Sequence, residues 1–279
     1  MNDPSQSAPT SEELANPLPA GFLARYPWIV FLAPFIVFML VGSLEPTKPS
    51  PNVPNTNRIE YAFYPYVYTA KIALTTLAIA FVWPGYRTFA RRFSMLSVVI
   101  GILGGLVWIG ICRLEIETRL FQQLVHQVIE PVARRVLSDP AWSYDFGAAP
   151  QRSGFNPLVE LKAQPLWAYT FLGIRFFGLV IVVALAEEFF LRGFLMRYFV
   201  DETWWRVPVG QVNRAALIAG TAVPMLMHPG ELLASFVWFS TITWLMLRTK
   251  SLWNCVIAHA LTNLVLGVYV VASGDWRLM

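Results

Sequence analysis

The chain has 279 residues, of which 56% are hydrophobic and 14% charged, and its mean hydropathy is +0.51. A soluble domain of this size cannot bury so much apolar surface in one core, so this composition excludes a soluble enzyme. The formal net charge is +4, but the basic residues lie at the ends of apolar runs and form no single patch, which argues against nucleic acid as a partner. The lipid bilayer is therefore the expected environment of the chain.

The N-terminus differs in composition from the rest of the chain. Residues 1–18 are polar, acidic and rich in Ser and Pro, unlike the basic start and short apolar region of a cleaved signal peptide. We therefore expect residues 1–20 to be a disordered polar tail.

Seven apolar stretches follow, and each is interpreted as a membrane helix because a crossing needs roughly 20 apolar residues. They span residues 28–44, 66–83, 95–112, 166–198, 215–228, 232–247 and 252–272. The sequence therefore predicts an all-α fold, a polytopic transmembrane helical bundle with about seven membrane segments. We assign residues 21–165 to N-terminal membrane helices plus an amphipathic loop region, and residues 166–279 to a separate core.

The loop region between the third and fourth stretches has its own pattern. Residues 113–137 alternate charged and apolar positions at helical spacing, with Leu114, Leu120, Leu124 and Val128 among the apolar ones. This pattern predicts an amphipathic helix on the membrane surface, covering the bundle.

Basic residues indicate the orientation of the bundle, because positive charges collect at cytoplasmic ends. Those at one set of helix ends are Arg25, Arg87, Arg91, Arg92, Arg197, Arg206, Arg214, Arg248 and Lys250. The pattern predicts an integral protein of the cell membrane, plasma or inner, with its N-terminus in the cytoplasm.

Two adjacent carboxylates and an arginine, Glu187, Glu188 and Arg192, lie inside the fourth apolar stretch. A charge near the bilayer centre costs roughly 2.5–3.5 kcal/mol on insertion scales, so such residues are functional candidates. Glu188 and Arg192 are four residues apart and can pair along one helix face. Glu187 lies about 100° round the helix from Glu188 and so points elsewhere. The alternative interpretation is a polar cluster that only holds helices together.

Two histidines lie in apolar segments after these glutamates. His259 and Asn263 are four residues apart and share one helix face, whereas His228 precedes Pro229-Gly230. Measured from the predicted cytoplasmic helix ends, Glu187, His228, His259 and Asn263 lie at depths of about 16, 20, 12 and 18 Å. These depths permit the four side chains to meet in one layer.

The Pro229-Gly230 pair divides the stretch around it into two short segments, so the turn is expected to lie below the membrane surface. Non-helical backbone at that depth has to be buried in protein or line a water-filled cavity. A hydrolytic site within a membrane needs such a cavity.

Peptide hydrolysis needs a base for water and donors for the oxyanion. Glu187 fits the base, His228 can hold the water or donate a proton, and His259 and Asn263 can stabilise the oxyanion. Two histidines and a glutamate are also a ligand set typical of zinc, although the spacing of soluble zinc proteases is absent. Two cofactor interpretations therefore stay open: none, or a divalent metal such as zinc held by Glu187, His228 and His259.

This order of motifs resembles the CAAX prenyl endopeptidase and bacteriocin-processing (CPBP, or Abi) family of intramembrane proteases, whose pattern is Glu-Glu-x-x-x-Arg, Phe-x-x-x-His and His-x-x-x-Asn. The first motif is present at residues 187–192 and the third at residues 259–263. The second is matched at His228 only, because Pro224 stands where the family usually has Phe.

The resemblance covers residues 166–279 and implies a protease core there. It implies that Glu187 activates water, that an oxyanion site is formed by three side chains, and that two further side chains support them. The implied oxyanion residues are His228, His259 and Asn263, and the implied supporting residues are Glu188 and Arg192. The implied substrate is a protein or peptide at the membrane, with prenylated and otherwise membrane-anchored proteins as candidates.

Two other functions use the same buried residues. A proton-linked transporter would use the Glu and His side chains as a relay, but it would be expected to have two related halves, and the sequence has none. A non-catalytic membrane scaffold would use them only as contacts between helices.

Overall fold

The computed structural model describes residues 21–48, 59–115, 119, 122–139, 141 and 154–278. Regular elements within these ranges are all helical, which confirms the predicted all-α fold. The expected disordered tail, residues 1–20, lies outside the described residues.

Seven apolar helices correspond one to one with the seven predicted stretches, and we number them in chain order. They are α1 (Pro27–Gly42), α2 (Tyr64–Tyr86), α3 (Met95–Arg113), α4 (Pro165–Tyr198), α5 (Arg214–Leu226), α6 (Leu232–Thr249) and α7 (Leu252–Ser273). Short helical segments join or flank them: Phe22–Arg25, Tyr61–Phe63, Val125–Ile129, Glu130–Val136, Pro157–Glu160, Trp204–Arg206 and Trp276–Leu278.

Five of the numbered helices are long and apolar enough to cross a membrane, namely α2, α3, α4, α6 and α7. The helices α1 and α5 are shorter apolar helices. The predicted number of seven membrane segments is therefore approximate. These long helices contain few charged residues, and they expose apolar side chains, which suits a lipid environment.

Helix α5 ends at Leu226, two residues earlier than the predicted stretch, and His228 lies in the turn that follows. Two prolines explain the difference. Pro224 has no backbone N–H to continue the helical ladder, and Pro229 disfavours the helical conformation of the residue before it.

The predicted amphipathic helix over residues 113–137 is present in part, as Val125–Ile129 and Glu130–Val136. Val128, Val132 and Val136 are exposed there, as a helix on a membrane surface requires. Residues 116–118, 120 and 121 lie outside the described part of the chain.

Helix α7 packs against α3, α4 and α6. Its contact with α3 is close because α3 has glycines there: a Cβ atom on Gly101 would lie 2.7 Å from the Ala258 carbonyl oxygen. Thr262 uses this approach to donate a hydrogen bond of 2.7 Å to the Gly101 carbonyl. The contact fixes α7, and with it the side chains of His259 and Asn263.

Candidate active site

The glutamates lie on a part of α4 that is not a regular α-helix. Two π-helical segments, Gly178–Val183 and Phe189–Leu195, flank the short α-helical segment Ala184–Glu188. Such π segments shift the phase of a helix and occur often at functional sites. Both carboxylates are buried: Glu187 is 5% exposed and Glu188 is fully enclosed.

Glu188 is the centre of an ionic cluster. Its Oε1 accepts hydrogen bonds from Arg192 Nη1 at 3.1 Å and from His259 Nδ1 at 2.8 Å. Arg192, also fully buried, donates a second bond to the Phe239 carbonyl at 3.3 Å. The pairing of Glu188 with Arg192 therefore ties α4 to α6 and, through His259, to α7.

This cluster sets the orientation of the His259 ring. Because Glu188 is an acceptor paired with a guanidinium, the proton of the hydrogen bond belongs to His259 Nδ1. The opposite nitrogen, Nε2, then points toward Glu187, whose Oε2 lies 3.9 Å away. That distance exceeds a direct hydrogen bond, so the two groups face each other across a short gap.

His228 is held in a different way. Its Nδ1 donates to the Pro224 carbonyl oxygen at 2.8 Å, and its ring contacts two aromatic rings, those of Trp108 and Phe239, with centroids 5.7 and 5.6 Å away. Since a carbonyl only accepts, Nδ1 carries the proton, and Nε2 of a neutral ring then has a lone pair.

Asn263 completes the set of motif residues. Its Nδ2 donates to the Leu179 carbonyl at 2.8 Å, a carbonyl that belongs to the π segment Gly178–Val183. The bond fixes the amide plane against α4. One of the two hydrogens of Nδ2 is used in this bond, and an amide nitrogen has a second.

Four of the predicted site residues line a common cavity of about 310 Å³: Glu187, His228, His259 and Asn263. The two predicted supporting residues, Glu188 and Arg192, are not among its lining residues and lie behind His259. The structure thus separates the motif residues into a group that faces the cavity and a group that holds it in position.

The cavity also has lining residues that the sequence analysis did not single out. Aromatic walls come from Trp108, Trp238 and Phe239, and two cations, Lys71 and Arg175, line it as well. The aromatic residues give no signal in a chain so rich in them. The cations do give one, because each is a charge inside an apolar stretch, the same criterion that identified the glutamates.

A metal centre requires three or more convergent ligands. Across the residues that the structure describes, no group of three His, Cys, Asp or Glu side chains is arranged to hold a metal ion. The alternative of a divalent metal held by Glu187, His228 and His259 therefore stays a prediction, and we derive no chemical step through a metal.

The model of the Rce1-like family, described as type II CAAX prenyl endopeptidase Rce1-like, matches residues 169–265. This range contains every motif residue from Glu187 to Asn263 and confirms the resemblance to the CAAX protease family. The match supports a CAAX-type intramembrane protease in general. No curated protein and no solved structure matches the chain.

Proposed function

We propose that the chain is an intramembrane endopeptidase that hydrolyses a peptide bond of a membrane-anchored protein, with Glu187 as the base that activates water. One observation carries this proposal: Glu187, His228, His259 and Asn263, from three separate segments of the sequence, line one cavity inside an apolar bundle. Buried carboxylate and imidazole groups are costly within a membrane, and such residues commonly mark functional sites.

In the proposed reaction, Glu187 removes a proton from water, and the oxygen attacks the carbonyl carbon of the scissile bond. The same carboxyl then returns the proton to the leaving nitrogen as the C–N bond breaks. The Nε2 lone pair of neutral His228 suits an acceptor that holds the attacking water beside Glu187. The hydrogen bond to Pro224 keeps that nitrogen in place.

The tetrahedral oxyanion needs donors directed at the oxygen where charge develops. Asn263 has a second N–H, and His259 presents Nε2 toward Glu187, from which it donates when the ring carries both protons. Glu188 and Arg192 act as positioning residues in this proposal, because they contact His259 and the Phe239 carbonyl and do not line the cavity.

The proposed location is the cell membrane, with the N-terminus in the cytoplasm, because basic residues collect at one set of helix ends. Prenylated proteins are one candidate class among membrane-anchored substrates. The proposed mechanism assigns every step to side chains of the chain itself.

The test compares the mature N- and C-termini of membrane and exported proteins in cells that carry either the wild-type chain or Glu187→Gln at matched expression. We expect uncleaved precursors to accumulate only with Glu187→Gln, because the amide cannot accept a proton from water. Glu130→Gln is the matched control, since Glu130 is buried but does not line the cavity. Identical termini in all strains, with both variants folded, would overturn the proposal in favour of a scaffold or transporter.

A further inference from the structure

A second polar cluster lines the same cavity. Lys71 of α2 is 6% exposed and Arg175 of α4 is 1% exposed, and both belong to apolar helices. Lys71 forms an ion pair with Glu45 and lies 4.5 Å from the centre of the Tyr68 ring. The Arg175 guanidinium lies 5.7 Å from the same ring. Two cations therefore surround one tyrosine at a place where one carboxylate is present.

Arg175 has little compensation for its charge. Within the described residues, no carboxylate lies at ion-pairing distance from it, and its Nε is buried without an acceptor. It donates one hydrogen bond, from Nη1 to the Phe155 carbonyl at 2.7 Å, and its remaining neighbours are the faces of aromatic rings, including those of Tyr64 and Trp276. A guanidinium has five N–H donors, and a charge in the membrane interior is costly unless it is paired.

Arg197, a buried arginine with a structural role, has a different environment from Arg175. Arg197 is 3% exposed and donates to three carbonyl oxygens, those of Gly193, Trp205 and Val207. It does not line the cavity. Arg175 makes one such bond and faces the cavity, so its environment fits a site that receives an anion.

We propose that Arg175, together with Lys71, binds a carboxylate group of the substrate. A guanidinium recognises a carboxylate through two parallel hydrogen bonds, and the ammonium of Lys71 adds charge without changing that geometry. In a peptide this carboxylate is the free C-terminus or an acidic side chain, and the two sources share one chemistry. The inference rests on the proposed function, because it assumes that the cavity holds a peptide.

Binding of small peptides to the full chain in lipid nanodiscs tests the inference without requiring cleavage. The probes are N-acetyl-Val-Leu-Leu as the free acid, the same peptide as a C-terminal carboxamide, and N-acetyl-Val-Glu-Leu carboxamide, which carries its only carboxylate on a side chain. Calorimetric titration should show the free acid binding roughly tenfold or more tightly than its carboxamide. Tight binding of the third probe instead of the first would assign the site to acidic side chains.

Variants of Arg175 locate the effect. Arg175→Gln should reduce the ratio between acid and carboxamide affinities to about twofold or less, whereas Arg197→Gln, the matched control, should keep the wild-type ratio. Where Arg175→Gln does not fold, Arg175→Lys carries the test, because it keeps the charge but loses the paired hydrogen bonds and should lower the ratio partway.

The inference is overturned if neither probe with a carboxylate binds the wild-type chain more tightly than N-acetyl-Val-Leu-Leu carboxamide, or if no probe binds at about 1 mM. It is also overturned if Arg197→Gln abolishes the preference as Arg175→Gln does. These outcomes are independent of the proposed function, since a protease without a carboxylate site would still lose precursor processing in Glu187→Gln. Conversely, a carboxylate preference in a chain without proteolysis would leave the binding site intact as a finding.

Discussion

The two histidines of the cavity are held by opposite means. His259 is a helical residue, 4% exposed, whose ring is fixed by the buried ionic cluster of Glu188 and Arg192. His228 lies in a turn, is only partly buried, and is fixed by a backbone carbonyl and two aromatic rings. One histidine therefore depends on specific charged side chains, whereas the other depends on the path of the backbone. The comparison indicates where substitutions should matter most.

The largest effect is expected at the cluster that holds His259. Glu188→Ala leaves the Arg192 guanidinium buried without its carboxylate, and breaking a buried ion pair in this way costs about 3–5 kcal/mol. Proteolysis should be lost as well. Unfolding of the purified chain in mixed detergent micelles measures the stability.

A double variant separates the two roles of Glu188. Replacing Glu188 and Arg192 together by Leu removes both buried charges, so much of the lost stability should return. Activity should not return, because His259 Nδ1 then lacks its acceptor. Recovery of activity along with stability would show that the cluster only supports the fold.

Substitution of the histidines themselves should have a smaller effect on folding and a large effect on catalysis. His259→Gln removes a proposed oxyanion donor, and loss of one such donor typically lowers kcat about 10²–10³-fold. His228→Gln should also lower kcat, because it removes the proposed acceptor that holds the attacking water beside Glu187. Initial cleavage rates of a precursor identified by terminal proteomics provide the measurement. A His259→Gln chain that is folded and fully active would contradict the proposed mechanism.

A substitution at the contact between α3 and α7 should act most directly on the histidine of α7. Gly101→Ala places a methyl group 2.7 Å from the Ala258 carbonyl, and such overpacking costs about 1–3 kcal/mol. It displaces α7 and hence His259, whereas His228 belongs to the turn after α5. Stability and activity should therefore both fall. Gly110→Ala is the matched control, because no atom lies within 4 Å of a Cβ atom there.

The smallest effect is expected at Pro224. The hydrogen bond to His228 uses the Pro224 carbonyl, which every residue type has, so Pro224→Ala keeps it. Activity should stay within about twofold of wild type, because Pro229 still disfavours a helical conformation at His228 and no group of the proposed site is removed. A loss greater than tenfold would show that the proline ring, and not its carbonyl, positions His228.

The sequence predicted best those features that depend on residues close together in the chain. A run of apolar residues long enough to cross a bilayer identifies a helix by itself, and positions four apart, such as Glu188 and Arg192, meet on one helix face. The bounds of α3 and α7 therefore follow closely from their apolar stretches.

Features that depend on contacts between distant segments did not follow. The π segments of α4 have no signature in a uniformly apolar run. Lys71 and Arg175 could have been flagged as charges within apolar stretches. Their position on the same cavity as Glu187 required the packing of α2 against α4.

The lining of the cavity indicates the side of the membrane from which a substrate reaches it. Its lining includes Glu45 just after α1, Tyr64 at the start of α2, and Leu278 beyond α7. These helix ends are opposite to the ends that carry the basic residues of the orientation signal. With those basic ends in the cytoplasm, as proposed, the part of the cavity that these residues line lies nearer the outer leaflet, so a peptide anchored there would reach the proposed site by the shorter path.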